Sequence, residues 1–167
     1  MSKRILLAYG TVTGSTTEVA EAVAKEIEQN GSRVDLLPVE SVKDIAGYDA
    51  VIVGSAIRMF KPLKKTRRFL NKFRRELRKI PVAYFILCLT MGKETPENIR
   101  TAREYAKYML KIKEPVSLGL FGGVIEHAKL SGLFGNMMKS VMEQDNRNWE
   151  AIRDWTRKTL PKLIEIQ

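Results

Sequence analysis

A strand that turns directly into a helix near the amino terminus is the feature that most constrains this fold. The apolar run at residues 5–9 has no separate wet and dry faces, as expected of a parallel strand covered on both sides. The residues that follow place Val19, Ala20, Val23, Ala24 and Ile27 on one face of a helix. Because the first turn of a helix has free backbone N–H groups and the positive end of the helix dipole, the connecting turn predicts an anion-binding site.

The connecting turn is rich in hydroxyl groups and carries no charge. It consists of Thr11, Val12, Thr13, Gly14, Ser15 and Thr16. A loop for nucleoside triphosphates would need Gly-Lys-Ser/Thr here, and a dinucleotide-binding turn would need three spaced glycines, so both are excluded. Amides and hydroxyls alone suit a terminal phosphate monoester. The alternative is an ordinary N-capping turn, and the six residues by themselves do not decide between the two.

This turn resembles the phosphate loop of the flavodoxin family, which reads Thr/Ser-x-Thr-Gly-x-Thr and binds the phosphate of FMN. The six residues from Thr11 to Thr16 match that pattern at every specified position. The resemblance implies FMN as the cofactor and a flavodoxin-like fold for the chain.

The rest of the chain alternates between predicted strands and helices. Further strands are predicted at residues 33–37, 48–54, 81–87 and 116–121. Helical spacing predicts a helix that Pro62 opens and that extends to Leu77, another that begins at Thr95, and a last one that Pro161 kinks or ends. We therefore expect one α/β domain over residues 1–167, a flavodoxin-like, open, doubly wound parallel sheet in the order 2-1-3-4-5 with helices on both faces.

Composition favours a cytoplasmic protein. The chain has 167 residues and 44% hydrophobic content, enough for one sizeable core. Its longest apolar stretch, residues 82–89, is shorter than the roughly 20 residues that a membrane-spanning helix needs. The apolar run after the basic amino terminus is too short for a signal peptide. The single cysteine, Cys88, excludes an internal disulfide. Peripheral contact with the inner face of a membrane stays open.

Three loops are expected to meet where the order of the predicted sheet reverses, those after strands one, three and four. In flavodoxins these loops surround the flavin ring, and the resemblance implies the same here. The implied ring-binding residues are Ser55, Ala56, Ile57, Arg58, Met59, Phe60, Leu89, Thr90, Met91 and Gly92. Gly122 and Gly123, which close the fifth predicted strand, are also expected to bind the cofactor. The chain departs from the family because Phe60 is the only aromatic residue of these loops and none is acidic. Arg58 would stabilise the negatively charged reduced flavin, unless it is a solvated loop arginine.

The net charge of +10 is concentrated in one predicted helix. Between Lys61 and Lys79 there are ten Lys or Arg residues and a single acid, Glu76. Such a surface suits an acidic redox protein or an anionic membrane. Nucleic-acid binding is disfavoured, because no stacking aromatics interleave with the charges. The sequence leaves the oligomeric state open.

A narrower resemblance is carried by the sequence Gly54-Ser55-Ala56-Ile57-Arg58, the basic helix and a long segment before a last helix headed by Trp149. These features are similar to those of the flavodoxin-type, menaquinone-dependent protoporphyrinogen oxidases. The resemblance covers most of the chain and implies an oxidoreductase that passes electrons from a reduced small-molecule substrate to a quinone, with the chemistry carried by the flavin and no catalytic side chain. The alternative is a non-catalytic electron carrier that docks acidic redox proteins through the basic helix.

The segment from Gly122 to Asn148 is longer than an ordinary connection. Its helical spacing predicts an amphipathic helix that includes Leu130, Leu133, Phe134, Met137, Met138, Val141 and Met142. This helix either packs on the sheet edge or forms a methionine-rich lid beside the flavin. Cys88 is predicted to be a core residue and His127 a loop residue, although either could instead lie near the flavin. One histidine and one cysteine provide no metal site.

Overall fold

The computed structural model describes residues 2–165, and a parallel sheet forms its centre. The strands are β1 (Arg4–Gly10), β2 (Arg33–Pro38), β3 (Ala50–Arg58), β4 (Lys61–Pro62), β5 (Val82–Cys88), β6 (Ser117–Gly122), β7 (Val124–Ile125) and β8 (Gln144–Asp145). Five of them are parallel in the order β2-β1-β3-β5-β6. The short β4 pairs antiparallel with β3, and β7 with β8 forms a separate antiparallel ribbon. Without β4 in the count, this is the predicted order 2-1-3-4-5, which is confirmed.

Helices cover both faces of the sheet, as predicted. They are α1 (Ser15–Gln29), α2 (Lys64–Lys72), α3 (Arg74–Leu77), α4 (Pro96–Tyr105), α5 (Lys107–Ile112), α6 (Gly132–Met138) and α7 (Trp149–Ile164). Successive strand residues point to opposite faces, so β5 buries Tyr84 against α2, α4 and α5, and buries Phe85 against α1 and α7. Every residue of β5 is buried, which explains the unbroken apolar run in the sequence.

Two predictions about the basic helix were wrong in detail. Pro62 does not open it, because Pro62 lies in β4 and the helix begins at Lys64. The backbone N–H of Leu63 donates instead to Ser55 Oγ at 3.2 Å, which fixes the start of α2 against the end of β3. The helix is also interrupted at Phe73, where the backbone leaves the helical region and α3 follows.

Two predictions about the carboxyl-terminal third also need correction. The amphipathic helix is confined to α6, because Val141 and Met142 lie beyond its end and the chain then enters β8. Pro161 does not end the last helix, since α7 continues to Ile164. Leu160 and Leu163 on either side of the proline are buried, and this packing outweighs the lost backbone hydrogen bond.

The carboxyl edge of the sheet positions the site. The chain leaves β1 for α1 there, leaves β3 for the hairpin with β4, and leaves β5 for a 3-10 turn at Leu89–Gly92. The order reverses at β1, which lies between β2 and β3. Ligands of open α/β sheets bind outside the strand ends at this reversal, so these loops are where a site is expected.

Candidate functional site

The turn between β1 and α1 requires a glycine at position 14. Gly14 is the N-terminal cap of α1 and has a φ of 94°, in the left-handed region that other residues adopt only with strain. Its backbone N–H donates to Thr11 Oγ1 at 3.0 Å, which closes the turn. The predicted turn is therefore formed, with its hydroxyl groups next to the first turn of a fifteen-residue helix.

Thr16 places a buried hydroxyl without a partner at this turn. The residue is fully buried on the first turn of α1, and its Oγ1 has no hydrogen-bond partner among the described residues. A buried hydroxyl without a partner costs about 1–3 kcal/mol, so such groups are normally satisfied. Thr16 is also the last specified position of the pattern that carries the resemblance. The donors present here therefore fit the phosphate of FMN.

A cleft opens between this turn and the loops after β3, β5 and β6. We call it the main cleft, and it encloses about 70 Å³. It is lined by Val12, Thr13, Ser15, Ala56, Ile57, Arg58, Leu87, Cys88, Leu89, Gly123, Val124, Ile125, Leu130 and Phe134. The structure thus brings together residues from the predicted phosphate turn and from both predicted ring-binding loops.

A second space, the side cavity, adjoins the main cleft and encloses about 210 Å³. It is lined by Ile57, Arg58, Met59, Phe60, Cys88, Leu89, Thr90, Tyr105, Phe134, Met137 and Met138. Arg58 and Phe134 line both spaces, and the Arg58 guanidinium lies over the Phe134 ring at 4.0 Å from its centroid. This stacked pair forms a shared wall. Helix α6 therefore borders both spaces through Phe134.

Seven of the predicted site residues line neither space. Ser55 is fully buried, and its hydroxyl bonds Thr66 Oγ1 at 2.9 Å, so its side chain holds β3 to α2. Met91 is buried in the core. Gly92 and Gly122 both pack closely against Asn146, and Gly14 lies in the turn itself. Thr11 is engaged by Gly14, and Thr16 lies beneath the turn, as described above.

An arginine from far along the chain reaches the turn between β1 and α1. Arg147, whose side chain is only 8% exposed, donates from Nη1 to the Ser15 carbonyl oxygen at 3.3 Å and also to the Glu18 carboxylate. Its Nε and Nη2 bind both oxygens of Asp145, at 2.9 and 2.7 Å. The hydrogen bonds with Asp145 and Glu18 raise the pKa of Arg147, and those with Arg147 lower the pKa of Asp145. Arg147 therefore ties the segment after β6 to the start of α1.

The electrostatics of the wall differ from those of the turn. Burial lowers the pKa of Arg58, and no carboxylate of residues 2–165 opposes this effect. Since arginine titrates far above neutral pH, Arg58 stays charged and its charge is not neutralised by a neighbour. Burial also raises the pKa of the Cys88 thiol, which favours the unreactive protonated form. Cys88 is thus a buried strand residue that borders the site.

His127 lies on a loop, as predicted. Its Nε2 is 2.6 Å from the Val141 carbonyl oxygen, and its side chain is half-exposed and borders neither the main cleft nor the side cavity.

Within residues 2–165, no group of three or more His, Cys, Asp and Glu side chains could hold a metal ion. No helix in that range combines the length and apolarity needed to cross a bilayer.

The sequence did not identify three contributors to the site. Arg147 is 131 residues beyond Thr16, counted on the chain, and nothing in its neighbourhood marks it as a partner of the turn. Phe134 was placed on the predicted amphipathic helix, but its stacking on Arg58 was not expected. Tyr105, whose ring centroid is 5.7 Å from that of Phe60, was not considered at all. All three depend on contacts between elements distant in the chain.

Comparisons with known proteins agree with this geometry. Residues 6–150 match the family model described as "Flavodoxin domain". Protoporphyrinogen IX dehydrogenase [quinone] of Escherichia coli K12 is 22% identical over 160 residues, which cover 91% of this chain and 88% of that protein. The protein of the same name from Leishmania major is 21% identical over 164 residues, an alignment that covers 92% of this chain and 71% of that protein.

Solved structures show the same fold. A flavodoxin of Fusobacterium nucleatum bound to flavin mononucleotide superposes with a TM-score of 0.63 at 16% identity, covering 96% of this chain and 99% of its own. A flavodoxin from the domain Archaea gives a TM-score of 0.55 at 18% identity, with coverages of 94% and 99%.

Replacing Arg147 with Gln should loosen the segment after β6. The change leaves Glu18 and Asp145 without their shared cation, and we expect it to cost about 1–2 kcal/mol of unfolding free energy. Limited proteolysis should then cleave residues 126–143 faster than in the unmodified protein. The matched control is Arg153→Gln, which removes only the exposed ion pair with Glu150, one turn earlier on α7. Equal cleavage of the two variants would contradict the proposed tie.

Proposed function

Because this chain belongs to the flavodoxin domain family, we propose that it is an FMN-dependent oxidoreductase that passes electrons from a reduced small-molecule substrate to a quinone-like acceptor. The observation that supports the cofactor is the buried, unpartnered hydroxyl of Thr16 at the turn between β1 and α1. The observation that carries the reaction class is the similarity over nine-tenths of the chain to dehydrogenases named for a quinone. When bound, FMN supplies one- and two-electron transfer.

The turn from Thr11 to Thr16 would hold the phosphate. Gly14 allows close approach of the backbone, and the start of α1 directs amide N–H groups toward the anion. Arg147 would contribute by holding the turn in place through the Ser15 carbonyl. It would not contribute a net positive charge, because the carboxylates of Glu18 and Asp145 offset its own. The phosphate would thus be bound mainly by hydrogen bonds.

The main cleft and the side cavity would have to join to admit the flavin ring. Each is below the roughly 300 Å³ at the lower end of ligand pockets, and together they approach it. The Arg58 and Phe134 pair separates them, so displacement of Phe134 would open one continuous space. In this proposal the α6 segment acts as a lid, with Met137 and Met138 lining the side where a flat apolar substrate could lie.

A second candidate function is non-catalytic electron transfer to an acidic redox protein. It is favoured by a concave surface beside the site, the basic groove, which encloses about 460 Å³. The groove is lined by Val12, Arg58, Met59, Lys61, Pro62, Leu63, Lys64, Lys65, Arg67 and Arg68. Six cations at the mouth of a redox site would steer an acidic partner toward it.

Thr16→Val should weaken FMN binding by about 10–100-fold, because a hydrogen bond to a charged phosphate contributes about 1.5–3 kcal/mol. Binding is measured by quenching of flavin fluorescence in a titration of apoprotein. Thr17→Val is the matched control on the next, half-buried position. Riboflavin lacks the phosphate, so its affinity should be the same in all three proteins. An equal loss for riboflavin would mean that Thr16 has only a structural role.

Arg58→Gln should lower the reduction potential for the second electron of bound FMN by about 60 mV. This shift corresponds to a tenfold change in a one-electron equilibrium. The reason is that the positive charge of Arg58, which no neighbouring carboxylate neutralises, stabilises the negative charge that the flavin gains on reduction. Anaerobic redox titration gives the potential. Arg100→Gln removes one exposed charge from α4 and should leave it unchanged. An unchanged potential in Arg58→Gln would reject this role.

Turnover separates the two candidate functions. The FMN-loaded protein is mixed anaerobically with protoporphyrinogen and menadione, and formation of protoporphyrin is followed by its absorbance. The oxidoreductase should give repeated turnover that depends on FMN. Absence of turnover, together with salt-sensitive electron exchange with an acidic redox protein, would favour the carrier instead.

A further inference from the structure

The hairpin between β3 and β4 ends in a strained and exposed apolar tip. Met59 and Phe60 have φ values of 55° and 66°, and they are the only non-glycine residues with positive φ in the part of the chain that is described. Two consecutive residues with positive φ are the mark of a hairpin turn that normally uses Asn-Gly. Here the turn carries two large apolar side chains, which are 54% and 73% exposed.

Other exposed apolar residues continue this tip. Met137 and Leu89 line the side cavity together with Met59 and Phe60, and they are 52% and 37% exposed. Leu133 lies one turn before Met137 on α6 and is 78% exposed. Large apolar side chains that cluster in this way at the mouth of a cavity are uncommon on a surface that faces only water.

Cations border the same tip. The basic groove begins at Met59 and continues through Lys61, Lys64 and Arg68, all three of them exposed. No carboxylate lines the groove or the side cavity among residues 2–165. Lys65 is partly engaged, since its Nζ lies 3.6 Å from Glu40. Lys65 is therefore the one groove cation that pairs with a carboxylate among residues 2–165, and most of the positive charge at this edge is not neutralised.

We propose that the Met59–Phe60 tip and the neighbouring cations form a docking face for an anionic lipid bilayer, with the tip inserted among the headgroups and acyl chains. This inference rests on the proposed function and names a partner for the same site, because it brings the mouth of the site to the layer in which an apolar acceptor dissolves. Apolar residues that insert and cations that bind anionic headgroups are the two components of interfacial binding.

A bilayer suits this surface better than an acidic protein does. A protein partner would be held by the cations and would need a matching cavity for Phe60, whereas a bilayer accepts exposed apolar side chains of any shape. The strain at the tip points the same way. Asn-Gly would form the turn at lower cost, so the hairpin alone does not explain Met59 and Phe60. The Phe60 ring lies 5.7 Å from that of Tyr105, and most of its surface stays exposed to an outside contact.

The double variant Met59→Asn and Phe60→Gly tests the tip with two readouts of opposite sign. The new turn suits positive φ, so the midpoint of thermal unfolding should rise. Binding to vesicles of equal parts phosphatidylglycerol and phosphatidylcholine, measured by co-sedimentation at about 0.15 M salt, should fall about tenfold or more because the inserted apolar area is lost. Unchanged vesicle binding would overturn the proposal, and so would failure of the unmodified protein to bind these vesicles.

A matched pair of charge variants tests the cations. Lys64→Gln with Arg68→Gln removes two charges beside the tip, and Arg74→Gln with Arg75→Gln removes two from α3, which leads back to the opposite edge of the sheet. Each cation close to an anionic surface strengthens binding about fivefold. Affinity for the vesicles should therefore fall about 25-fold for the first pair and less than about threefold for the second. Equal losses of vesicle affinity in the two variants would mean that the net charge of the protein attracts the vesicles diffusely. That result would contradict a defined docking face.

Vesicle binding is measured with and without FMN, which keeps the two proposals separate. Vesicle binding without flavin uptake would reject the cofactor proposal and leave the docking face standing. Flavin uptake without vesicle binding, or preference for an acidic protein over the vesicles, would reject the docking face and leave the cofactor proposal standing. Vesicles of phosphatidylcholine alone should bind at least tenfold less, because the cations then have no anionic headgroups to bind.

Discussion

Parallel pairing of β1 with both β2 and β3 is the constraint on which the rest of the structure depends. This pairing places β1 at the point where the order of the sheet reverses, so α1 and the hairpin after β3 leave the sheet on either side of one crevice. The first turn of α1 therefore directs its free amides into a space bordered by Arg58 and by the loop after β5. The site is a consequence of strand order before any side chain is considered.

The two sides of the crevice are also joined by close packing. Gly10 ends β1 beside Thr66 of α2, where no space remains for a side chain. Thr66 in turn shares a buried hydrogen bond with Ser55 at the end of β3, and Ser55 accepts the backbone N–H of Leu63. The phosphate turn and the hairpin are thus held by the same small buried polar cluster. Such a fully bonded cluster gives the surrounding loops a fixed frame at little cost.

Stability and function are distributed differently over this molecule. The sheet and the helices on both faces are packed with fully buried apolar side chains, and one unpaired hydroxyl, that of Tyr84, lies among them. The carboxyl edge combines an unpaired hydroxyl with a desolvated arginine and two residues with strained backbone. Each of these features costs free energy in the isolated chain. Their combination at one edge is what is expected where ligands or a surface supply the missing contacts, and the cores on the two faces of the sheet support that edge.

The sequence by itself determined the local elements and their pattern. The unbroken apolar run of β5, the helical spacing of α1 and the six residues of the phosphate turn are each specified over a short stretch, because strand burial, helix periodicity and glycine conformation are local properties. From these the strand order, the fold and the position of the turn followed. Residues 55–58, predicted as a loop after the third strand, instead continue β3, and the residues that follow β3 and β5 meet at the carboxyl edge as expected.

Only the tertiary structure decided which side chains meet there. Arg147 reaches Ser15 from the far end of the chain, Phe134 stacks on Arg58, and Ser55 turns inward to Thr66 instead of lining the cleft. The hairpin that displaces Pro62 from the start of α2 and the pairing of β7 with β8 that shortens α6 are also contacts across the fold. No pattern in a short window encodes them, because each depends on the relative positions of elements that are distant in sequence and are brought together only by packing.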